Sequence, residues 1–311
     1  MTNYSGMEMR KAYAKTIEEL YGEDKNIFAL EADLSGSMST ASLKSIMGDN
    51  YLNLGIMEAN MISVAAGINL AGGYCYIHSF GQFLARRAMD QIFISMAYAR
   101  LKGCLVGSDS GVTAEHNGGT HMTFEDMGII RTIPGVEIYD VCDPVELSQI
   151  LKNAKNKDVL TYIRTARKKA VKDIYEDGED FSKSGAKLLR EGKDVTILAC
   201  GIEVNEAIKA AEELSEKGID ADVIDCYRIK PLDEEVILKS VSKTKKVITC
   251  ENHNVNNGLG SAIAELLGEK MPTKMYRIGV REKFGQVGKL DYLMQQYKLT
   301  DKDIIEAVEK L

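Results

Sequence analysis

No apolar run in this 311-residue chain approaches the roughly 20 residues that a membrane span needs. No Lys/Arg block or basic stripe is present, and net charge is −7 with acids and bases interspersed. Nucleic acid is therefore not an expected partner. The first residues, Met1-Thr2-Asn3-Tyr4-Ser5-Gly6, lack a basic n-region and an apolar h-region, so export is not expected. The six cysteines (Cys75, Cys104, Cys142, Cys200, Cys226 and Cys250) form no Cys-x-x-Cys pair, and most lie in or beside apolar runs. They read as buried, reduced thiols of a cytosolic protein rather than a disulfide framework. A phosphate-cradling Gly-x-x-x-x-Gly-Lys-Ser/Thr loop is missing, as is a Gly-x-Ser-x-Gly elbow. Gly48-Asp49-Asn50 lacks the following glycine of a metal–diphosphate motif and reads as a turn. Gly258-Leu259-Gly260 is too short to mark a dinucleotide site.

What is present is an ordinary globular composition, 45% hydrophobic and 27% charged, in a chain long enough for two cores. Strand-like runs alternate with helix-like runs. Asn26–Ala32, the segment before Glu58, Tyr74–Ile77, Cys104–Gly107, Val136–Tyr139 and Val159–Ile163 read as strands. A long helical pattern covers Gln82 to Lys102. Continuous apolar strands separated by helices predict a parallel sheet covered on both faces. The charged stretch Lys168–Lys187 has little apolar periodicity and reads as an interdomain linker. The alternation then restarts with Val195–Gly201, Ala221–Asp225, Lys246–Thr249 and Tyr276–Ile278, a second and smaller α/β domain.

Four groups of residues could carry chemistry. Glu58 lies between a strand-like run and a helix of small residues. A partly buried carboxyl favours its protonated form and can share a proton with a ring nitrogen. A glutamate in a first helical turn is also favoured by the helix dipole alone. The loop Gly111–His121 follows a strand and holds His116 and His121 among flexible glycines. These could ligate a metal with Glu115 or Asp126, or the glycines could let backbone approach a ligand while His121 donates a hydrogen bond or shuttles a proton. Phe80 and Phe83, spaced i, i+3, could pack in a core or stack on a planar heterocycle. Arg164 and Arg167 leave a strand at its carboxyl end and suit a phosphate-bearing ligand, or are surface charges.

In order and spacing these pieces resemble the C-terminal half of transketolase, and more specifically the C-terminal subunit of split, two-subunit transketolases. The anchors are Glu31-Ala32-Asp33-Leu34-Ser35 with Ser37, Gly55–Met61, Phe80–Gln91 and Gly118-Gly119-Thr120-His121, continued by Ile133-Pro134-Gly135, Lys230–Asp233, Gly258–Ala262 and Ile278-Gly279-Val280. The resemblance implies two doubly wound α/β domains: a pyrimidine-binding domain over 1–170, a linker over 171–187 and a transketolase C-terminal domain over 188–311. It implies thiamine diphosphate with Mg²⁺, whose carbanion chemistry the protein tunes. Glu58 matches the glutamate that drives the cofactor's imino tautomer, Phe83 the aromatic that stacks on its pyrimidine with Phe80 beside it, and Asp33 an aspartate near the cofactor. His121 matches a histidine on the transferred two-carbon unit, and Arg10, Ser37 and Arg167 match the group holding a sugar phosphate.

Two positions depart from the family pattern. The substrate loop reads Glu115-His116-Asn117-Gly118 where Gly-Glu-Asp-Gly is usual, so an uncharged amide replaces an aspartate. Asp109 stands where a substrate-binding histidine is common. Both predict a ketol transferase acting on a non-standard sugar phosphate, with His116, Asn117 and Asp109 in its substrate site. The diphosphate and metal motifs are missing, so the resemblance implies an N-terminal partner subunit that holds them, in an α2β2 assembly. Alternative members of the wider group are the β subunit of a 2-oxoacid dehydrogenase E1 component, a fragment like 1-deoxyxylulose-5-phosphate synthase, and a non-catalytic regulatory homologue.

Overall fold

The computed structural model describes residues 3–169 and 172–311. Met1, Thr2, Ala170 and Val171 lie outside them, so part of the N-terminal reading and the expected boundary at 170/171 fall outside the described residues.

Among the described residues the first half supplies β1 (Ile27–Glu31), β2 (Tyr51–Asn53), β3 (Tyr74–Phe80), β4 (Gly103–Ser108), β5 (Glu137–Asp140) and β6 (Leu160–Arg164). The second half supplies β7 (Lys187–Arg190), β8 (Val195–Ala199), β9 (Ala221–Asp225), β10 (Arg228–Lys230), β11 (Lys246–Asn254) and β12 (Lys274–Val280). The first sheet runs β10-β5-β6-β4-β3-β1-β2 and the second β12-β11-β8-β9-β7. All pairings are parallel except β10 on β5 and β7 on β9, which are antiparallel. Strands β3, β4, β6, β8 and β9 are buried along their whole length, which is why they read as unbroken apolar runs. Helices such as Pro144–Ala154 and Asp301–Glu309 are amphipathic and pack their apolar sides on the sheets. The helix Pro144–Ala154 shows the local logic: Asp143 caps it by accepting from the Glu146 amide at 2.8 Å, with proline at its first turn.

One expectation needs correction, and the expected domain division gains two details. The pattern over Gln82–Lys102 is not one α-helix: π-type turns at Phe83–Arg87 and Ile92–Tyr98 flank a break at Ala88. Such loosened turns re-aim side chains and recur at functional sites. The expected linker, in its described part, is docked chain. Tyr175 is buried and donates to Asp225 at 2.7 Å, and Phe181 packs edge-on against Tyr175 and Tyr227. Two aromatics six positions apart leave no periodic trace among charges, so the pattern missed them. Finally, the second half is not self-contained, because β10 extends the first sheet.

Arg164 ties the halves together. It is fully buried; its Nε bonds both Asp126 oxygens at 3.1 and 3.0 Å, and Nη1 bonds Asp140 at 3.1 Å. Its Nη2 bonds the carbonyls of Thr123 and Asn252 at 3.2 and 2.5 Å. Neither reading of Arg164, as a phosphate ligand or as a surface charge, holds: every arm of its fork is committed to buried protein groups. All six cysteines are free thiols and buried. Burial pushes Cys75 up to about 12. No helix among the described residues is long and apolar enough to cross a membrane.

Candidate active site

Parallel strands put their carboxyl ends on one edge of a sheet, where ligands bind in open α/β folds. Here Glu31 closes β1, Phe80 closes β3 and Ser108 closes β4. Gly55, at φ +75°, turns the chain out of β2. Glu58 thus becomes the first residue of the helix Glu58–Leu70 rather than the end of a strand.

The Glu58 carboxylate is 2% exposed. Its surroundings are polar. Arg87 Nη1 donates to both oxygens at 3.0 and 3.1 Å, and Ser79 Oγ donates at 3.3 Å. The Arg87 guanidinium also lies 3.8 Å from the centre of the Phe83 ring. One planar, nitrogen-rich cation therefore spans a buried carboxylate and an aromatic face. Phe80 lies against Phe83 with ring centres 5.9 Å apart, and His121 meets both rings edge-on at 5.8 and 5.4 Å. The His121 Nδ1 is 2.8 Å from Thr120 Oγ1. Phe80, Phe83 and His121, all singled out in the sequence, are in mutual contact, and Glu58 joins them through Arg87.

The His121 loop is held by the second half of the chain. Asn252 on β11 accepts from the Val112 amide and donates to the Ser110 carbonyl, both at 3.0 Å. Gly111 has φ +50°, and a Cβ there would lie 2.1 Å from Asn252 Oδ1, so only glycine fits. Further along, Gly119 packs on the backbone of Gly285. No sequence pattern marked this brace.

Next to the aromatic surface, the start of the helix Met9–Glu23 meets the exit of β6. Met9 and Arg10 amides donate to the Lys168 and Arg167 carbonyls at 3.1 and 3.0 Å. Arg10 and Arg167 are thus neighbours despite their distance in sequence. Each faces an acid: Arg10 pairs with Glu8 at 3.0 Å, and Arg167 Nη2 with Asp109 Oδ1 at 3.2 Å. The Arg167 guanidinium sits 5.7 Å from the Phe80 ring, which joins this pair to the aromatic surface. Burial pushes the Asp109 carboxyl up, while Arg167 pulls it the other way.

The remaining expected residues are less closely tied. Ser37 is half-buried in the loop after β1. Asp33 is exposed, with φ +61° and its amide donating to Asn53 Oδ1 at 3.0 Å. His116 and Asn117 are exposed on the loop beyond Glu115. A metal site from His116, His121 and Glu115 or Asp126 is not assembled: Glu115 pairs with Lys168, and Asp126 is held by Arg164 and Tyr162. Among the described residues, the group with metal-ligand spacing is Cys142, Glu146 and Asp225, buried where the two halves meet.

Sequence reasoning missed a buried string behind the site. Thr40 donates to Glu31 at 2.6 Å, Glu31 meets His78 Nδ1 at 2.7 Å, His78 Nε2 meets Ser108 Oγ at 2.9 Å, and Ser108 donates to Asp109 at 3.2 Å. The signal was available: one acid and one histidine inside apolar strands that pair in register, Glu31 opposite His78.

Family models match the transketolase pyrimidine-binding domain over residues 5–172 and the transketolase C-terminal domain over 184–304. A 6-deoxy-6-sulfo-D-fructose transketolase subunit, SqwH, of Clostridium sp. (strain MSTE9) is 45% identical over 303 residues, covering 97% of this chain and 94% of the relative. A subunit of the apulose-4-phosphate transketolase of Phocaeicola vulgatus is 31% identical, covering 96% of this chain and 95% of the relative. The solved structure described as a split gene transketolase, inactive β4 tetramer, superposes with a TM-score of 0.91 at 34% identity and covers 98% of both chains. With both of its sheets built on this pattern and both family models matched, the chain belongs to the transketolase family.

Proposed function

We propose that this chain is the C-terminal subunit of a two-subunit, thiamine diphosphate-dependent ketol transferase, moving a two-carbon unit from a ketose to an aldose acceptor. The observation that carries this reading is the bridge made by Arg87 between Glu58 and Phe83. A planar nitrogen donor already fits those two partners, so an aminopyrimidine fits them too. The family implies thiamine diphosphate with a metal. When bound, that cofactor would supply the carbanion chemistry.

The chain's own residues have separate duties. Glu58 holds or gives a proton at the ring nitrogen, Phe83 fixes the plane of the ring with Phe80 behind it, and Asp33 lines the approach. His121, against the edges of both phenylalanines, offers a nitrogen to the hydroxyls of the transferred unit. Asn117 and His116 border the substrate, and an amide at 117 binds a hydroxyl without acting as a base. Arg10, Ser37 and Arg167 hold the sugar's anionic tail.

The diphosphate and Mg²⁺ fall to a partner subunit in an α2β2 assembly in the cytoplasm, with this chain divided into 1–170, a linker 171–187 and 188–311. The similarity to a split transketolase chain described as an inactive β4 tetramer supports the need for a partner. The 45% identity to a subunit acting on a sulfonated ketose supports a donor outside the common pentose and heptulose phosphates.

The reading is tested by steady-state ketol transfer with this chain, its partner, thiamine diphosphate and Mg²⁺. Turnover with both subunits and none with either alone is expected. Full turnover by the isolated chain, or none by the pair on any ketose, contradicts it.

A further inference from the structure

The anion-binding arginines are electrically balanced before any substrate arrives. Arg10 faces Glu8, Arg167 faces Asp109 and Lys168 faces Glu115. Of these acids, Asp109 is the unusual one. It is fully buried and held at φ +57°, a conformation that side chains other than glycine's adopt at a cost.

Against its burial, Arg167 and Ser108 favour its charged form. Ser108 has one hydroxyl proton and donates it to Asp109 Oδ2, so His78 Nε2 must donate to Ser108. His78 Nδ1 then shares a second proton with Glu31. The string therefore leaves the Asp109 carboxylate facing Arg167. Arg167 Nε, buried, has no hydrogen-bond partner among the described residues, which leaves part of its fork for a ligand.

A tail bound to Arg167 therefore shares that guanidinium with a fixed carboxylate. Attraction to Arg167 and repulsion from Asp109 both scale with the charge of the tail, so the pair gives a second charge little net gain while its desolvation cost grows. A phosphate ester is mostly dianionic at neutral pH, with a second pKa near ~6. A sulfonate or carboxylate carries one charge. Resting on the ketol-transfer reading above, we propose that Asp109 makes this subsite select sugars whose tail bears a single negative charge over those bearing a dianionic phosphate.

The test uses the enzyme reconstituted with its partner and two donors differing only in the tail, 6-deoxy-6-sulfo-D-fructose and D-fructose 6-phosphate, above neutral pH. The wild type is expected to favour the sulfonate by about tenfold or more in kcat/KM, from one extra unit of charge a few ångströms from Asp109. Asp109→Asn is expected to remove most of that ratio. Glu8→Gln, at the partly exposed acid paired with Arg10, should shrink it by about two- to threefold, as a screened charge does. The ratio cancels any loss of folded protein or cofactor, and Glu8→Gln carries the test if Asp109→Asn does not fold. Turnover with the phosphate preferred, or a ratio unmoved by both variants, overturns this proposal alone. Absence of turnover on both donors overturns this proposal, and absence on every ketose overturns the ketol-transfer reading with it.

Discussion

The two ends of the candidate site are built on opposite electrostatic plans. At the cofactor end, one buried carboxylate, Glu58, is matched by one half-exposed cation, Arg87, which also covers the Phe83 ring. On the reading proposed above, an incoming planar base replaces that cation on both partners. At the tail end, each cation is already matched by an acid, and the acid on Arg167 is locked in by a buried string of hydrogen bonds. An incoming anion cannot displace Asp109 and must share Arg167 with it. The first end is arranged for exchange of one partner for another, the second for discrimination.

Substitutions at the two ends should therefore fail differently. The largest effect belongs to Glu58→Gln. It removes the group proposed to hold a proton on the cofactor and should lower kcat about 10²- to 10⁴-fold whatever the donor's tail. Steady-state rates on charged and neutral-tailed donors check this, and a loss confined to charged donors would merge the two ends. Arg167→Leu is next. Loss of a charged hydrogen-bond donor costs about 1.5–3 kcal/mol, so KM for an anionic ketose should rise by roughly ten- to a hundredfold, with kcat little changed. Phe83→Ala removes a stacking face worth about 0.5–1.5 kcal/mol beyond its burial. It should weaken thiamine diphosphate about tenfold in a fluorescence or calorimetric titration and leave the sulfonate-to-phosphate ratio unmoved.

The smallest effect is on stability. Burial raises the Asp109 carboxyl above its unfolded value. A raised acid binds protons more tightly folded than unfolded, so the stability it contributes is full below the unfolded value and is lost as pH rises through the folded one. Asp109→Asn should therefore gain on the wild type in urea unfolding as pH rises past the ordinary aspartate range. A difference between the two proteins that is flat with pH would show that the buried charge costs nothing there.

How much of this was legible in the sequence follows the same division. At the proposed cofactor end Glu58, Phe80, Phe83 and His121 were all named from local sequence, and the structure brings the last three into contact and joins Glu58 to them through Arg87. Arg87 escaped because its role depends on the π-type turn at Phe83–Arg87, which swings it onto Glu58. At the tail end Arg10 and Arg167 were named, yet their adjacency comes from backbone bonds between the first helix and the exit of β6. Arg164 was misread because an arginine at a strand end looks the same whether it faces solvent or two buried aspartates. The alternation of strands and helices was enough for the two-sheet architecture. The antiparallel strand β10, three residues long, and the docking of Tyr175 and Phe181 had no periodicity to show them.

Whether the cofactor site is shared between two subunits is decided by calorimetric titration of thiamine diphosphate and Mg²⁺ into this chain, alone and with its partner. Tight binding is expected only with the partner present, lost on Glu58→Ala and weakened on Phe83→Ala. Tight binding by the isolated chain, or binding with the partner that Glu58→Ala leaves intact, would contradict a shared site built on Glu58.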